Sequence, residues 1–146
     1  MDCNFDDIYF MKIALQEAQK AFDKGEIPVG AVVVCEGVII AKAHNLTEAL
    51  NDVTAHAEMQ AITAAANYLG GKYLKKCTLY VTLEPCQMCG GALYWSQVSR
   101  VVYGATDAKR GCEVMGGKYH PKTKITSGVL EEGCSQLMKD FFKGRR

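Results

Sequence analysis

The segment "TLYVTLEPCQMCGGALYW", residues 78–95, decides the fold of this chain, because it joins a strand pattern directly to a helix pattern. Its first six residues are rich in β-branched and apolar side chains, which predicts a strand. Pro85 is a residue type favoured at the first helical position, so Cys86 and Cys89 are expected on one face of the first turn. Such a pair forms a redox motif, half of a structural zinc site or half of a catalytic zinc site. The cysteines alone do not distinguish these three functions.

The first half of the chain predicts two helices with a hairpin between them. Apolar residues recur at helical spacing from 6 to 25, which predicts a packing helix. Two β-branched runs over 29–43, separated by a Glu-Gly pair, predict a hairpin with a tight turn. The alanine-rich segment 54–69 predicts a second helix with Asp52 or Thr54 as its N-cap.

The second half of the chain continues the alternation of strands and helices. Strands are predicted at 98–104 and, shorter, at 125–128, and an amphipathic helix is predicted at 130–143. The apolar side of that helix is expected to carry Cys134, Leu137, Met138, Phe141 and Phe142. Strands separated by helices predict an α/β fold, with a mainly parallel sheet covered on both faces and the hairpin as its antiparallel edge. No linker or repeat is apparent, so we expect a single domain over residues 1–146.

Composition places the chain among ordinary globular proteins. At 146 residues it is long enough to bury roughly 70% of the surface that its unfolded form exposes. No apolar stretch has membrane-spanning length, and the acidic start "MDCNFDDIYF" lacks the features of a signal peptide, so we expect a cytoplasmic protein. The odd number of cysteines, seven, favours reduced thiols. Five of them are expected to be buried or incidental thiols without a role: Cys3, Cys35, Cys77, Cys112 and Cys134.

Charge is distributed unevenly along the chain, although the net charge is only +1. Residues 1–60 carry 4 basic and 10 acidic side chains, whereas residues 61–146 carry 13 basic and 6 acidic ones. Basic residues late in the last helix are expected from the helix dipole alone. A polyanion-binding surface in the second half is therefore a hypothesis that charge by itself does not decide.

A second motif, "TAHAEMQ" at 54–60, lies upstream of the cysteine pair. Helices that follow neighbouring parallel strands begin at the same sheet edge, so His56, Cys86 and Cys89 are expected to converge there. Three protein ligands leave one position open, which is typical of a catalytic zinc that lowers the pKa of its bound water to about 7. Glu58 stands two residues from His56 and is expected beside the metal without binding it, as a proton shuttle.

The two motifs together match the signature of the zinc-dependent nucleobase deaminases, as "HAE" at 56–58 and "PCQMC" at 85–89. Over nearly its whole length the chain also resembles the bacterial tRNA-specific adenosine deaminases. That resemblance rests on the segments "PVGAVVV" (28–34), "HN" (44–45), "TAHAE" (54–58), "TLYVTLEPCQMCGGAL" (78–93), "RVVYGATDAKRG" (100–111) and "ITSGVLEEGCSQLMKDFF" (125–142). It implies a cytidine deaminase-like, three-layer α/β/α fold, with a five-stranded mixed sheet in the order 2-1-3-4-5 and helices on both faces.

The same resemblance implies the chemistry. His56, Cys86 and Cys89 would bind one Zn²⁺ per chain, and Glu58 would move protons from the attacking water to the ring nitrogen and the departing amine. Hydroxide would attack the amine-bearing carbon of adenine, and ammonia would leave to give inosine. The substrate would be the wobble adenosine of a tRNA anticodon loop.

Further residues are assigned to substrate binding by the resemblance. Asn45 would hold the nucleoside, and the backbone at Ala57 and Glu84 would face the base and the leaving amine. Asp107 would contact the flanking nucleotide. Members of the family are homodimers, so a homodimer whose site includes partner residues is expected.

Two departures from the family pattern keep alternatives open. The segment 112–124, "CEVMGGKYHPKTK", differs from the corresponding family loop, and "GALYW" at 91–95 is equally similar to the free-base guanine deaminases. One alternative is therefore a deaminase of a free nucleobase or nucleoside, of the guanine or cytosine type. The other, from a different class, is a zinc-stabilised binding module without turnover, which would need a fourth ligand such as Cys77 or Cys112.

Overall fold

The computed structural model describes residues 5–145, which form four helices and five strands. In chain order they are α1 (Phe5–Asp23), β1 (Gly30–Cys35), β2 (Val38–His44), α2 (Ala57–Leu69), β3 (Cys77–Leu83), α3 (Gln87–Ser96), β4 (Arg100–Ala105), β5 (Lys124–Thr126) and α4 (Glu131–Lys143). None of these helices combines the length and the apolar character that a membrane crossing requires. Cys3, which the sequence assigned no role, lies outside the described residues.

All five strands belong to one sheet, in the order β2-β1-β3-β4-β5. β1 is antiparallel to both of its neighbours, whereas β3, β4 and β5 are parallel to one another. The predicted strand order and the mixed α/β sheet are therefore confirmed. The hairpin has β2 at the edge of the sheet and β1 inside it, as that order implies.

Alternate residues of the strands build two separate cores. Ala31 and Val33 of β1 point to one face, where they join apolar residues of α2 and α3. Val32 and Val34 point to the other face, where they join apolar residues of α1 and α4. Burial on both faces is the reason that β1 has a continuous apolar sequence instead of an alternating one. The structure thus has the three predicted layers, with helices on both sides of the sheet.

The second helix begins three residues later than predicted. Its N-cap is His56, which has extended backbone angles, and neither Asp52 nor Thr54 caps it. The Asp52 side chain instead accepts hydrogen bonds from the backbone N–H and the hydroxyl of Thr54, at 2.8 and 2.7 Å. The Ala55 N–H also donates to the Asp52 carbonyl, so these residues form a turn that ends before the helix starts.

The third helix also begins later than the proline predicted. Cys86 is its N-cap, with φ −72° and ψ 175°, and the first helical residue is Gln87. Pro85 therefore precedes the helix. The reason is a long-range contact: Cys86 pairs with Gly111 in an isolated antiparallel bridge, which holds Cys86 in an extended conformation.

The last helix has a narrower apolar face than predicted. Cys134 and Phe141 are buried, and the Phe141 ring packs edge-on against Phe22 of α1. Phe142 is 51% exposed, since consecutive helical residues point about 100° apart. The preceding strand, β5, extends only to Thr126 and is shorter than the predicted segment.

A buried ion pair joins α1 to the sheet. Asp7 is 1% exposed and receives two hydrogen bonds from the Arg100 guanidinium, at 2.7 and 2.8 Å. The Tyr80 hydroxyl donates to the same carboxylate at 2.8 Å, and Arg100 also donates to the Thr126 hydroxyl at 3.0 Å. One carboxylate therefore connects α1 with β3 and β4, and through Arg100 with β5.

We expect Asp7→Ala to lower the free energy of unfolding by about 3–5 kcal/mol, because it leaves the Arg100 charge buried without this carboxylate. Equilibrium denaturant unfolding at a fixed protein concentration measures the change. Asp6→Ala is the matched control, since Asp6 is the exposed neighbour on the same helix and its loss is expected to cost less than about 0.5 kcal/mol. Equal unfolding midpoints for the two variants would contradict the assigned role of Asp7.

Candidate active site

The site lies where α2 and α3 begin. β2 and β3 run in the same direction, so the helices that follow them start at the same edge of the sheet. The sequence argument assumed that these two strands are neighbours, but the antiparallel strand β1 lies between them. His56, Cys86 and Cys89 still converge, because α2 and α3 contact each other on the face of the sheet where Ala31 is buried.

Three predicted metal ligands meet at this edge. His56 Nδ1 lies 3.5 Å from Cys86 Sγ and 3.5 Å from Cys89 Sγ, and all three ligand atoms are within 4.8 Å of one another. Within residues 5–145 these are the residues that form a cluster of at least three metal-ligating side chains. Neither Cys77 nor Cys112 belongs to it. The described residues therefore lack the fourth ligand that the binding-module alternative requires.

Helix geometry favours negative charge at this cluster. His56 and Cys86 are the N-cap residues of α2 and α3, yet neither side chain caps its own helix. Both side chains turn towards each other instead, and the first backbone N–H groups of two helices lie at the site. The positive ends of two helix dipoles therefore favour thiolates, and any other anion bound there.

Hydrogen bonding separates the protonation states of the two cysteines. A hydrogen bond from Cys89, with a further one from His56, lowers the pKa of the Cys86 thiol to about 4. The same contact raises the pKa of Cys89, which is buried, and the bond to Cys86 raises the pKa of His56. One thiolate is thus present at neutral pH, and a metal ion with affinity for sulfur and nitrogen would displace the remaining protons.

Glu58 lies beside the cluster but outside the ligand group. Its side chain is 4% exposed, in the first turn of α2, and it contacts Cys89. Burial raises the pKa of the Glu58 carboxyl to about 7. A carboxyl group with this pKa both accepts and releases a proton at neutral pH, which is the property that general acid–base catalysis needs.

Asn45 is a buried polar residue with an incomplete set of hydrogen bonds. It is 5% exposed, follows β2 directly and donates its backbone N–H to the Val29 carbonyl at 3.1 Å. The side-chain oxygen, Oδ1, is buried and has no hydrogen-bond partner in the described structure. Since buried polar atoms are normally paired, this oxygen is available to a ligand.

The remaining predicted residues have different surroundings. Ala57 is fully buried within the core between α2 and the sheet, and its predicted backbone contact with the base stays a prediction. Asp107 Oδ1 accepts the backbone N–H groups of Lys109 and Arg110, at 3.1 and 2.9 Å, and thereby closes a turn. Its predicted contact with a flanking nucleotide stays a prediction.

The Glu84 side chain supports the loop that contains Asp107. Glu84 is 7% exposed, and its Oε1 accepts the Asp107 backbone N–H at 2.9 Å. A Cβ at Gly111 would lie 2.5 Å from Glu84 Oε2, so the loop closes over this carboxylate only because residue 111 is glycine. The sequence predicted a role for the Glu84 backbone and missed this function of its side chain.

Two further buried or half-buried polar residues were missed by the sequence analysis. Glu26 is 1% exposed, and its two carboxylate oxygens accept the backbone N–H groups of Glu48 and Ala49, at 3.0 and 2.7 Å. Gln60, on α2, donates to carbonyl groups next to Asn45 and next to His56. Glu26 belongs to no recognisable motif, and Gln60 ends the segment 54–60 without a residue type that indicates its role. Both act on backbone groups that only folding brings near.

The chain matches the family model described as "cytidine and deoxycytidylate deaminase zinc-binding region" over residues 5–105. This match includes every member of the cluster and Glu58. The chain belongs to the cytidine and deoxycytidylate deaminase family. Zinc is therefore the metal for which this donor set is expected, and two sulfur atoms with one imidazole nitrogen fit that ion chemically.

Relatives within the family are similar over almost the entire chain. The tRNA-specific adenosine deaminase of Aquifex aeolicus is 49% identical over an alignment of 144 positions, which covers 94% of this chain and 95% of the relative. A structure solved in studies of A-to-I editing by tRNA deaminases at the wobble position of transfer RNA is 40% identical, with a TM-score of 0.82. It covers 88% of this chain and 98% of its own. The predicted resemblance to the tRNA-specific adenosine deaminases is confirmed.

A free-base deaminase is also similar, but less so. The structure of guanine deaminase from Bacillus subtilis is 39% identical over 80% of this chain and 72% of its own, with a TM-score of 0.67. The resemblance to guanine deaminases that the sequence indicated at residues 91–95 is thus present in the chain as a whole.

Two glycines, Gly90 and Gly91, follow Cys89, and a contact within the chain explains why the first of them is glycine. A Cβ at Gly90 would collide with Cys112 Sγ, which is buried against α3, whereas a Cβ at Gly91 has nothing within 4 Å. The close contact at Gly90 is therefore intramolecular. It holds the start of the 112–124 segment against the helix that carries Cys89.

We expect Gly90→Ala and Gly91→Ala to change stability in opposite directions. Gly90→Ala should lower the free energy of unfolding by about 1–3 kcal/mol through overpacking against Cys112. Gly91→Ala should raise it by about 0.5–1 kcal/mol, because alanine has the higher helix propensity. Thermal and denaturant unfolding measure both. Destabilisation by Gly91→Ala would contradict the open surroundings of Gly91 and would indicate that a second protein surface covers it.

Proposed function

We propose that this protein is a zinc-dependent hydrolytic deaminase that converts adenosine to inosine at the wobble position of a tRNA anticodon. The observation that carries the proposal is the Cys86, Cys89 and His56 cluster with the buried Glu58 carboxyl, of pKa about 7, beside it. The choice of substrate is supported by relatives of nearly equal length that are named tRNA-specific adenosine deaminases. Overall, water adds to the amine-bearing carbon of the adenine and the amine leaves as ammonia.

One zinc ion per chain is proposed, with His56, Cys86 and Cys89 as its protein ligands. Three protein ligands are the number found in catalytic zinc sites, where a fourth position is available for chemistry. A zinc ion bound there would lower the pKa of a water molecule to about 7 and so supply hydroxide at neutral pH.

Glu58 is the proposed catalytic residue. Its carboxylate takes a proton from the attacking water, and the resulting carboxylic acid delivers a proton to the ring nitrogen of the base. A second transfer, to the departing amine, converts a poor leaving group into ammonia. Burial supports this role, because a carboxyl group with a pKa of about 7 releases and accepts protons with little cost in either direction.

Substrate contacts are assigned to four residues. Asn45 holds the nucleoside through its buried and unpaired Oδ1, which accepts a hydrogen bond from a hydroxyl group of the sugar. The backbone at Ala57 and Glu84 faces the base and its amine, and Asp107 contacts the flanking nucleotide. A base in a single-stranded anticodon loop is unpaired and reaches such a pocket without duplex opening.

The assembly and location of the protein belong to the proposal as well. A cytoplasmic homodimer of one-domain chains, each spanning residues 1–146, is proposed. Support for the dimer comes from large apolar side chains that are exposed on α3 and on the 112–124 segment: Met88, Trp95, Val114 and Met115. The two segments are in contact, since the Gln87 amide donates to the Met115 carbonyl at 3.1 Å, and exposed apolar side chains grouped in this way are typical of a protein interface.

Guanine deamination is the second candidate function. The observation in its favour is the 39% identity to the guanine deaminase of Bacillus subtilis. Both candidates use the same cluster and the same carboxyl group, so they differ only in the substrate that enters the site.

We expect Glu58→Gln to lower kcat by at least about 10²-fold while zinc content stays at the wild-type level, because the carboxyl moves protons without binding the metal. His56→Ala is the contrasting variant, since it is expected to lose both zinc and activity. Metal analysis and initial rates on the same preparations measure the two effects. Loss of zinc from Glu58→Gln would show that Glu58 is a ligand and would overturn its assigned role.

The substrate is tested with an anticodon stem-loop that has adenosine at the wobble position. Inosine formation on this RNA is measured beside ammonia release from free guanine, cytosine, adenine and their nucleosides. Turnover on the stem-loop alone is the expected result. Ammonia from a free base, with none from RNA, would keep the proposed chemistry and overturn the proposed substrate.

A further inference from the structure

The Gln60 carboxamide connects the two segments that carry the nucleoside-binding and metal-binding side chains. Gln60 lies on α2, half-buried, and its Nε2 donates to the carbonyl of His44 at 2.8 Å and to that of Ala55 at 3.1 Å. These carbonyls belong to segments that are eleven residues apart in the chain. One amide group therefore joins the end of β2 to the turn before α2.

Each of these two carbonyl groups is one peptide bond away from a functional residue. Asn45 follows His44, and His56 follows Ala55. The Ala55 carbonyl also accepts the backbone N–H of Leu46 at 3.0 Å, so a second bond crosses the same gap on the other side of Asn45. The position of Asn45 relative to His56 consequently depends on the packing of α2 against β2 and on these hydrogen bonds. Gln60 makes three of the bonds, the third being a longer one of 3.5 Å to the carbonyl of His56 itself.

The middle of the same loop is held by a different residue. Glu26 accepts the backbone N–H groups of Glu48 and Ala49, which lie in a turn that the Leu50 N–H closes by donating to the Leu46 carbonyl at 2.9 Å. This contact fixes the loop after Asn45 but makes no bond to the segment of His56. Glu26 therefore does not replace Gln60 as the connection between the two functional segments.

We propose that Gln60 is a positioning residue, whose amide holds Asn45 at the distance from His56 that a bound nucleoside requires. The proposal rests on the proposed function for the roles of Asn45 and His56. The observation behind it, which does not depend on that function, is that a single carboxamide donates hydrogen bonds to both segments.

The chemistry of the carboxamide predicts a ranking of substitutions. Both amide hydrogens of glutamine are used when it donates to two carbonyls, and methionine has nearly the same length but no donor. Gln60→Met should therefore release the loop while preserving most of the packing. Gln60→Glu should be worse, because a carboxylate presents only acceptor oxygens to two carbonyl oxygens. Gln60→Asn keeps the amide but is shorter by one methylene, so it should fall between wild type and Gln60→Met.

The first test is the kinetics of these variants on the anticodon stem-loop. We expect Gln60→Met to raise KM roughly tenfold, with kcat changed less than about threefold and zinc content unchanged. Gln136→Met is the matched control, because the Gln136 amide makes one exposed bond, to Asp140 on α4, and no contact with the site. A KM within twofold of wild type for Gln60→Met, or loss of zinc from this variant, would overturn the proposal.

The second test separates a positioning role from a merely structural one. If Gln60 acts through Asn45, Gln60→Met should have less than about a twofold effect on KM when Asn45 is already alanine, so the double-mutant cycle should be strongly non-additive. A structural role would instead give the same loss in both backgrounds. Additivity would therefore overturn the proposal, even if Gln60→Met alone is impaired.

The third test does not depend on any substrate. Backbone amide exchange should become at least about tenfold faster at Leu46 in Gln60→Met, since its N–H donates to the Ala55 carbonyl that Gln60 also holds. Exchange in Gln136→Met should match wild type. If the wild-type protein is inactive on RNA and on free bases, and exchange at Leu46 is still faster in Gln60→Met, the positioning role is supported and the proposed function is rejected. Unchanged exchange at Leu46 would reject the positioning role whatever the activity.

Discussion

The meeting of two helix N-termini at one edge of the sheet is the constraint on which the rest of the site depends. β2 and β3 run in the same direction on either side of β1, so α2 and α3 start together. His56 is the N-cap residue of α2, and Cys86 is the N-cap residue of α3. Neither side chain caps its own helix, and each points to the other helix. Two helix dipoles favour anionic groups at this point, and hydrogen bonds from Cys89 and His56 lower the pKa of the Cys86 thiol there.

Around this centre, buried polar side chains fix the loops by binding backbone groups. Glu84 lies under the loop that contains Asp107, and Glu26 lies at the start of the turn after Asn45. Burial of such carboxylates is unfavourable unless hydrogen bonds compensate, and here N–H groups of loops do so. Among the described residues, the groups that differ from this pattern are the Glu58 carboxyl, whose pKa burial raises to about 7, and two buried oxygens without a hydrogen-bond partner, Asn45 Oδ1 and the Tyr119 hydroxyl. These are the groups available to chemistry and to a ligand.

The ligand cluster was predictable from sequence because its members lie in short motifs at helix starts. Spacing placed Cys86 and Cys89 on one helical turn, and the rule that helices after parallel strands begin at one sheet edge added His56 and Glu58. Helix boundaries were predicted less well, since they depend on contacts that no local pattern contains. Cys86 is extended because it pairs with Gly111, twenty-five residues away.

Sequence by itself determined the alternation of strands and helices, the two apolar faces of β1 and the residue types able to hold a metal, because these follow from local periodicity and chemistry. Tertiary structure alone decided that Cys86 pairs with Gly111, that Glu84 supports a loop, and that Gln60 joins the segments of Asn45 and His56. The physical reason is that the partners are backbone carbonyl and N–H groups, which every residue carries. No residue type at those positions reveals them, so only the folded arrangement specifies which ones meet.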